Sequence, residues 1–206
     1  MVGFTTTFHQ TCASLAVAKR LKALPNPPVI VFGGANCEGE MGWQMLQSFP
    51  WIDYVCAGEG DAAFPDFLEQ LLGGEEEPNV PGILRRGGGL SAPEPVRDMD
   101  SLPVPDYSEY VARVEASTIR ERLSPVLLIE TARGCWWGAK QHCTFCGLNG
   151  DTMAFRSKSP ERALAEFTQL ARDYGYRRID SVDNRSSVID SVGKPPIAST
   201  PLRRAI

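Results

Sequence analysis

Histidine, positive charge and long apolar stretches are all scarce in this chain of 206 residues. It has two histidines, and its 21 Lys and Arg are outnumbered by 25 Asp and Glu, which gives a net charge of −4. This balance provides no electrostatic basis for binding nucleic acid or an anionic membrane surface. The longest apolar runs, such as residues 28–34 and 125–129, are far shorter than the ~20 residues of a membrane span.

The amino terminus also lacks the features of a secretion signal. Its first residues, MVGFTTTFHQT, have neither a basic start nor an apolar core. We therefore expect a cytoplasmic protein with no membrane and no nucleic-acid partner. Hydrophobic content of 43% and charged content of 22% are typical of a globular protein.

The first 86 residues alternate short β-like runs with helical patterns. The expected strands and helices, in chain order, are 2–8, 13–24, 29–32, 39–48, 53–57 and 61–72. Gly33-Gly34 follows the second strand, and Gly58-Glu59-Gly60 follows the third. This alternation predicts an α/β fold, in which a parallel sheet carries helices on its faces.

The rest of the chain divides into three parts. Residues 87–124 are rich in Gly and Pro and are predicted to be a linker. Residues 125–183 begin with a strand at 125–130 and contain a helix from about 159 to 174, with Ser159 as its N-cap. Residues 184–206 show no period, which predicts a disordered tail.

Six cysteines are present, and three of them lie within twelve residues. Cys135, Cys143 and Cys146 follow the strand at 125–130, where parallel α/β folds place their sites. Three thiolates leave one position open on a 4Fe–4S cluster, which usually has four cysteine ligands. The three scattered cysteines, Cys12, Cys37 and Cys56, are predicted to be buried free thiols.

Two other uses of these cysteines are compatible with the spacing. A structural zinc site would need a fourth ligand, and His142 is the nearest candidate. However, His142 adjoins Cys143, and two neighbouring residues rarely both point at one tetrahedral ion. A redox pair formed by Cys143 and Cys146 would leave Cys135 without a role.

Residues 130–150, ETARGCWWGAKQHCTFCGLNG, resemble the cluster loop of radical S-adenosylmethionine (radical SAM) enzymes. The seven residues between the first two cysteines and the Trp136-Trp137-Gly138 run are similar to those of one branch of these enzymes. That branch consists of the cobalamin-dependent proteins that mature ribosomally made peptides (RiPPs), such as bacteriocin precursors. Upstream segments, at 31–42, 53–72, 80–86 and 99–110, resemble the cobalamin-binding region and linker of that branch.

The resemblance implies an architecture and three cofactors. Residues 1–86 would form a partial Rossmann-like cobalamin-binding domain, and 125–183 would begin a radical SAM (β/α) partial TIM barrel. Cys135, Cys143 and Cys146 would ligate the 4Fe–4S cluster, and Phe145 and Gly147 would lie near bound S-adenosylmethionine. The cluster would pass one electron to S-adenosylmethionine, and methylcobalamin would supply a methyl group to the substrate.

The resemblance also implies cobalamin-binding residues at the ends of the first strands. These are Thr5, Thr6, Thr7, Gly33, Gly34, Ala35, Asn36, Gly58 and Glu59. The Asp-x-His-x-x-Gly motif that supplies a histidine to cobalt is absent, and His9 is expected to be a surface residue. Cobalt would therefore not be held by histidine.

The implied partners are a precursor peptide as substrate and a flavodoxin- or ferredoxin-type electron donor. A barrel of about six strand–helix units needs well over ~150 residues, more than follow residue 125, and the resemblance stops near Asn184. We therefore expect a truncated or frameshifted chain. The alternatives to an enzyme are a non-catalytic fragment and a zinc-stabilised interaction module.

Overall fold

The computed structural model describes residues 1–7, 9–91, 94–141, 143–144, 153–176 and 178–182. These residues form two compact units, the first spanning Met1–Val96 and the second Arg97–Thr144 with 153–182. The division lies inside the segment that the sequence predicted as a linker. The tail from residue 184 and the cysteine-loop residues 145–152 lie outside the described residues.

The first unit is built on a four-stranded sheet. Its strands are β1 (Val2–Thr5), β2 (Ile30–Gly33), β3 (Tyr54–Cys56) and β4 (Ile83–Arg85), in that spatial order. The first three are parallel, as the strand–helix alternation predicted, and their carboxyl ends therefore meet at one edge. The fourth runs antiparallel to β3, which the alternation did not predict.

Three helices connect these strands: α1 (Gln10–Lys22), α2 (Gly39–Ser48) and α3 (Ala63–Leu72). Adjacent residues of a strand point to opposite faces of the sheet. Phe32 accordingly packs in the core cluster with Leu46 of α2, whereas Val31 packs in the cluster with Phe67 of α3. The sheet is thus covered on both faces, as the composition of its strands requires.

Arg86 ties the end of α2 to the strand that follows α3. Its guanidinium donates hydrogen bonds to the carbonyl oxygens of Leu46, Phe49 and Ile52. The last carbonyls of a helix have no partner within the helix, and α2 has no glycine cap. Arg86 therefore serves as the cap of this helix.

Replacing Arg86 by alanine is expected to lower the free energy of unfolding by about 3 kcal/mol, because hydrogen bonds from charged groups contribute roughly 1.5–3 kcal/mol each. Urea unfolding followed by circular dichroism measures the change. Arg85→Ala is the matched control, since Arg85 forms a salt bridge with the largely exposed Glu77. Equal losses in the two variants would contradict the capping role.

The second unit contains two small sheets and two α-helices. Its helices are α4 (Ser108–Glu115) and α5 (Pro160–Tyr174), and its strands are β5 (Leu127–Ile129), β6 (Ala132–Arg133), β7 (Arg156–Ser157) and β8 (Ile179–Ser181). Strands β5 and β8 pair in parallel with each other, and α5 lies between them in the sequence. This is the βαβ connection expected at the start of a barrel. Strands β6 and β7 pair antiparallel. Short 3-10 turns lie at Ala35–Cys37, Met99–Ser101 and Arg120–Arg122.

Helix α5 begins and ends as its sequence predicts. The hydroxyl of Ser159 accepts a hydrogen bond from the Arg162 N–H at 3.1 Å, and Pro160 occupies the first turn. Gly175 ends the helix in the left-handed conformation, with φ of 69°. None of the helices within the described ranges has the combination of length and apolarity that a membrane crossing requires.

Asp106 is the acceptor of a small hydrogen-bond network in the second unit. Its Oδ1 accepts from the N–H and the hydroxyl of Ser108 and from the Tyr174 hydroxyl, at 2.8, 2.5 and 2.8 Å. The Ser108 bonds, followed by the Tyr174 bond, lower the pKa of Asp106 from 3.8 to about 2.

This shift predicts how the second unit responds to acid. The pKa of Asp106 is lower in the folded chain than in the unfolded chain. Its contribution to the free energy of unfolding is therefore present above pH 3.8 and is lost as pH falls through about 2. Urea midpoints measured between pH 5 and 2 should fall more steeply for the native chain than for Asp106→Asn. Parallel curves would show that Asp106 does not contribute.

Candidate functional site

A cleft of about 320 Å³ opens in the first unit, where the carboxyl ends of β1, β2 and β3 meet. This is the edge at which parallel α/β sheets bind ligands. Five of its eleven lining residues are glycines: Gly3, Gly33, Gly34, Gly58 and Gly60. Because glycine has no side chain, a ligand can approach the backbone of these residues closely.

Two of these glycines are required by the backbone itself. Gly34 and Gly58 have φ of 95° and 89°, in the region that favours glycine. A Cβ added at Gly34 would also lie 2.6 Å from the Thr6 carbonyl oxygen. The turn after β2 therefore keeps its shape only with glycine at position 34.

The structure separates the nine predicted cobalamin-binding residues into two groups. Four line the cleft, namely Thr5, Gly33, Gly34 and Gly58. The other five, Thr6, Thr7, Ala35, Asn36 and Glu59, are not among its lining residues. The first strand ends at Thr5 rather than at the predicted residue 8, so Thr6 and Thr7 lie beyond it, and the direction of each side chain depends on the turns that follow.

Thr6 shows why a run of three threonines does not act as one surface. Its side chain is fully buried, and its hydroxyl donates to the Gly33 carbonyl at 2.9 Å and lies 3.3 Å from the Cys37 sulfur. These bonds attach the end of β1 to the turn after β2. Thr6 therefore holds the backbone next to the cleft without lining it, whereas Thr5 lines the cleft.

The other residues outside the cleft hold the surrounding turns. The Asn36 amide donates to the Thr11 hydroxyl at 2.8 Å, and the Thr7 N–H donates to the Gln10 side chain at 3.0 Å. Glu59 accepts from the Val96 N–H at 2.8 Å. His9 is exposed at the start of α1 and does not line the cleft, which agrees with its expected surface position.

Cys56 is a cleft residue that the sequence did not single out. It lies at the end of β3, is 8% exposed and contributes to the cleft wall. Burial, with smaller contributions from Cys37 and Asp61, raises its pKa to about 11, so its thiol is protonated at neutral pH. The expectation of buried free thiols is confirmed for Cys37 and Cys56 but wrong for Cys12, which lies on the exposed side of α1.

The cysteine loop begins in the second unit, directly after β6. Cys135 and Cys143 are partly exposed free thiols, whereas His142, Phe145, Cys146 and Gly147 lie outside the described residues. Among the residues that the structure describes, no three His, Cys, Asp or Glu side chains come together as a metal site. The complete triad therefore stays a prediction.

The seven residues between Cys135 and Cys143 contain a helical turn. The Ala139 N–H donates to the Cys135 carbonyl, and the Gln141 N–H donates to the Trp137 carbonyl, both at 2.8 Å. The Gly138 N–H also points at the Cys135 sulfur, at 3.4 Å. A backbone donor at this position would stabilise a thiolate, which is the form that binds iron.

The base of the loop is closed by strand pairing and one further bond. Ala132 and Arg133 of β6 pair with Ser157 and Arg156 of β7. Beyond this ladder, the Cys135 N–H donates to the Met153 carbonyl oxygen at 3.2 Å. The loop that carries the cysteines is therefore tied at both of its ends.

Gly134 lies in the loop base at a position that leaves no room for a side chain. Its φ is 74°, and an added Cβ would lie 2.2 Å from the Ala154 carbonyl oxygen. Gly134→Ala is expected to cost roughly 1–3 kcal/mol from the dihedral alone, with the backbone clash adding to it.

Gly175→Ala is the matched control for that variant. Gly175 has φ of 69°, but nothing lies within 4 Å of an added Cβ, so its cost isolates the dihedral contribution. Urea unfolding of both variants gives the difference. Equal destabilisation of the Gly134→Ala and Gly175→Ala variants would mean that the loop base shifts to accommodate the added Cβ without further cost.

The chain is similar in sequence to known proteins, although no protein-family model matches it. It is 26% identical over 190 residues to an uncharacterized methyltransferase of Pyrococcus horikoshii, covering 89% of this chain and 39% of that protein. It is 29% identical over 164 residues to the cobalamin-dependent radical SAM methyltransferase TokK of Streptomyces tokunonensis, covering 77% of this chain and 23% of that protein.

A solved structure confirms the predicted fold class. The chain matches the cobalamin-dependent S-adenosylmethionine radical enzyme OxsB, solved with aqua-cobalamin and S-adenosylmethionine bound, with a TM-score of 0.67 and 19% identity. The match covers 90% of this chain and 25% of OxsB. The chain therefore has the α/β fold of part of that enzyme, and cobalamin-dependent radical SAM methyltransferases are among the proteins to which it is similar.

Proposed function

We propose that this chain carries the cobalamin-binding and cluster-binding segments of a cobalamin-dependent radical SAM methyltransferase. The observation that carries the proposal is that similarity to such an enzyme extends over 77% of the chain. The cysteine triad Cys135, Cys143 and Cys146 supports it. The cleft lies at the carboxyl ends of parallel strands, and the cysteine loop follows the parallel strand β5 after the short strand β6.

The cleft of the first unit is the proposed site for the tail of cobalamin. Its volume of about 320 Å³ lies within the range of small-molecule pockets, roughly 300–1,000 Å³. Gly33, Gly34 and Gly58 would let the tail approach the backbone, and Thr5 would offer a hydroxyl at the rim. Bound cobalamin would supply the methyl group in its methylated form, methylcobalamin.

The cysteine loop of the second unit has donors suited to iron. Cys135 and Cys143 would each supply a thiolate, Cys146 a third, and the Gly138 N–H would stabilise the Cys135 sulfur in its charged form. The open iron position would accept S-adenosylmethionine. Phe145 and Gly147 would border that cofactor, as the resemblance of the loop implies.

The substrate proposed for this chemistry is a ribosomally made precursor peptide, methylated on carbon. The support is the similarity of residues 130–150 to the loop of the peptide-maturation branch, above all the seven-residue cysteine spacing and the Trp136-Trp137-Gly138 run. A flavodoxin- or ferredoxin-type protein would supply the electron. Such chemistry belongs in a reducing compartment, which favours the cytoplasm.

Anaerobic reconstitution of the 206-residue chain tests this function. With iron and sulfide we expect a broad visible absorption, with hydroxocobalamin a stable complex, and with S-adenosylmethionine and a reductant the release of 5′-deoxyadenosine. Stoichiometric zinc without iron would contradict the proposal and favour the interaction module. A cluster that does not cleave S-adenosylmethionine would identify a non-catalytic binding protein.

A further inference from the structure

A buried ion pair joins the base of the cysteine loop to helix α5. The Lys158 ammonium lies 2.5 Å from the Glu166 carboxylate, and the two side chains are 3% and 1% exposed. Lys158 directly follows β7, and Glu166 lies on the buried face of α5 with Ala163 and Leu170. Both charges are thus removed from water.

Stability alone does not account for such a pair. Moving two charges out of water costs several kcal/mol per ion, and apolar residues of similar size often stabilise a fold as well or better. The Glu166 Oε1 and the Arg162 Nε are, in addition, buried without a hydrogen-bond partner among the described residues, although the Arg162 Nε lies 4.0 Å from the Glu166 Oε2. A buried ion pair can instead specify a single arrangement of the elements that it joins.

The arrangement that it enforces is the base of the cysteine loop. The Lys158 N–H donates to the Thr131 carbonyl at 2.8 Å, which is the first tie between the two sides of the loop. The β6–β7 ladder is the second, and the bond from the Cys135 N–H to the Met153 carbonyl is the third. Through Lys158, the ion pair connects the first of these ties to helix α5.

The two strands that form the ladder are too short to define their own register. Strands β6 and β7 have two residues each, and an isolated hairpin of that length is not stable in water. A slip of one residue would turn Cys135 to the opposite side of the loop base. The Lys158 ammonium lies 2.5 Å from the Glu166 carboxylate, so a slip of one residue would break this ion pair.

We propose that Lys158 and Glu166 are positioning residues that set the register of the loop base and thereby the position of the Cys135 thiolate. Neither residue touches a cofactor in this role. The inference rests on the proposed function for its chemical purpose, because a cluster requires its cysteines at fixed positions. The register itself is a property of the chain without cofactors, and it is testable separately.

The test replaces the pair by apolar residues of similar length, in the double variant Lys158→Met with Glu166→Met. Amide hydrogen exchange is measured in the full chain without metal, at Cys135, Lys158 and Leu170. We expect exchange at Cys135 and Lys158 to be at least tenfold faster, and exchange at Leu170, in the core of α5, to change less than twofold. Glu109→Met with Arg113→Met, an exposed pair on α4, is the matched control and should alter none of the three.

Two results would overturn the proposal. Unchanged exchange at Cys135 would show that the pair does not hold the loop base. An equal increase at Leu170 would show that it only stabilises the unit. If the double variant does not fold, Glu166→Asp shortens the carboxylate and keeps its charge, and the same comparison of Cys135 with Leu170 applies.

Reconstitution with iron and sulfide separates this inference from the proposed function. If the native chain assembles a cluster, the double variant should give an altered electron paramagnetic resonance spectrum after reduction, whereas the Glu109, Arg113 control should not. An unaltered spectrum would contradict the positioning role. If the native chain assembles no cluster, the proposed function fails, and faster exchange at Cys135 alone still supports the register role.

Discussion

Replacing Cys135 by alanine is expected to abolish iron–sulfur assembly in the reconstituted chain. A 4Fe–4S cluster held by three cysteines loses a third of its protein ligands, and the Cys135 sulfur already receives a backbone hydrogen bond from Gly138. Iron bound per chain should fall at least tenfold from about four atoms. Iron analysis and the visible absorption spectrum, both recorded under anaerobic conditions, measure this loss.

Cys12→Ala is the matched control for the cluster experiment. Cys12 is an exposed free thiol on α1, in the other compact unit, and its removal should leave iron content and absorption unchanged. Cys143→Ala and Cys146→Ala should behave like the Cys135 variant. A Cys135 variant that retains native iron content would refute the triad, and loss of iron in the Cys12 variant would show that surface thiols bind it.

Filling the cleft of the first unit is expected to weaken cobalamin binding at least tenfold, which corresponds to about 1.4 kcal/mol. Gly33→Leu is suited to this purpose because an added Cβ would lie 3.6 Å from the Cys56 Cβ, an ordinary contact distance. The backbone of Gly33 is also in a strand conformation, so the substitution does not strain it. Titration calorimetry with hydroxocobalamin measures the affinity.

Gly89→Leu provides the control for added apolar bulk. Nothing lies within 4 Å of a Cβ added there, and Gly89 does not line the cleft, so cobalamin affinity should be native. Circular dichroism verifies that both variants fold. Native affinity in the Gly33 variant would place the ligand elsewhere and leave the glycine-lined cleft without this role.

Features that depend on neighbouring residues were predictable from the sequence. Helix α2 has the bounds expected for it, at residues 39–48, and α5 begins at the predicted Ser159 cap and Pro160. Those signals act over three or four residues, through hydrogen bonds and side-chain spacing within one element. Glycines that follow a strand were likewise recognisable as turns, and Gly33, Gly34 and Gly58 do line the cleft.

Features that join distant residues were not predictable. The β6–β7 ladder pairs residues 132 and 157, and strands of two residues show no period from which to identify them. The reach of Lys158 to Glu166 and the role of Cys56 in the cleft wall depend on how helices pack against strands. The inward direction of Thr6, between two outer threonines, depends on the turn after β2.

The sequence by itself determined the α/β class and the order of the main strands and helices, which follow from periodicity and capping along the chain. Candidate residues for iron and cobalamin were implied by the resemblance of the cysteine loop and the upstream segments to a known family. Only the tertiary structure decided which side chains face the cleft and what closes the cysteine loop. The physical reason is that burial and pairing are set by contacts between segments far apart in sequence, such as Thr131 with Lys158.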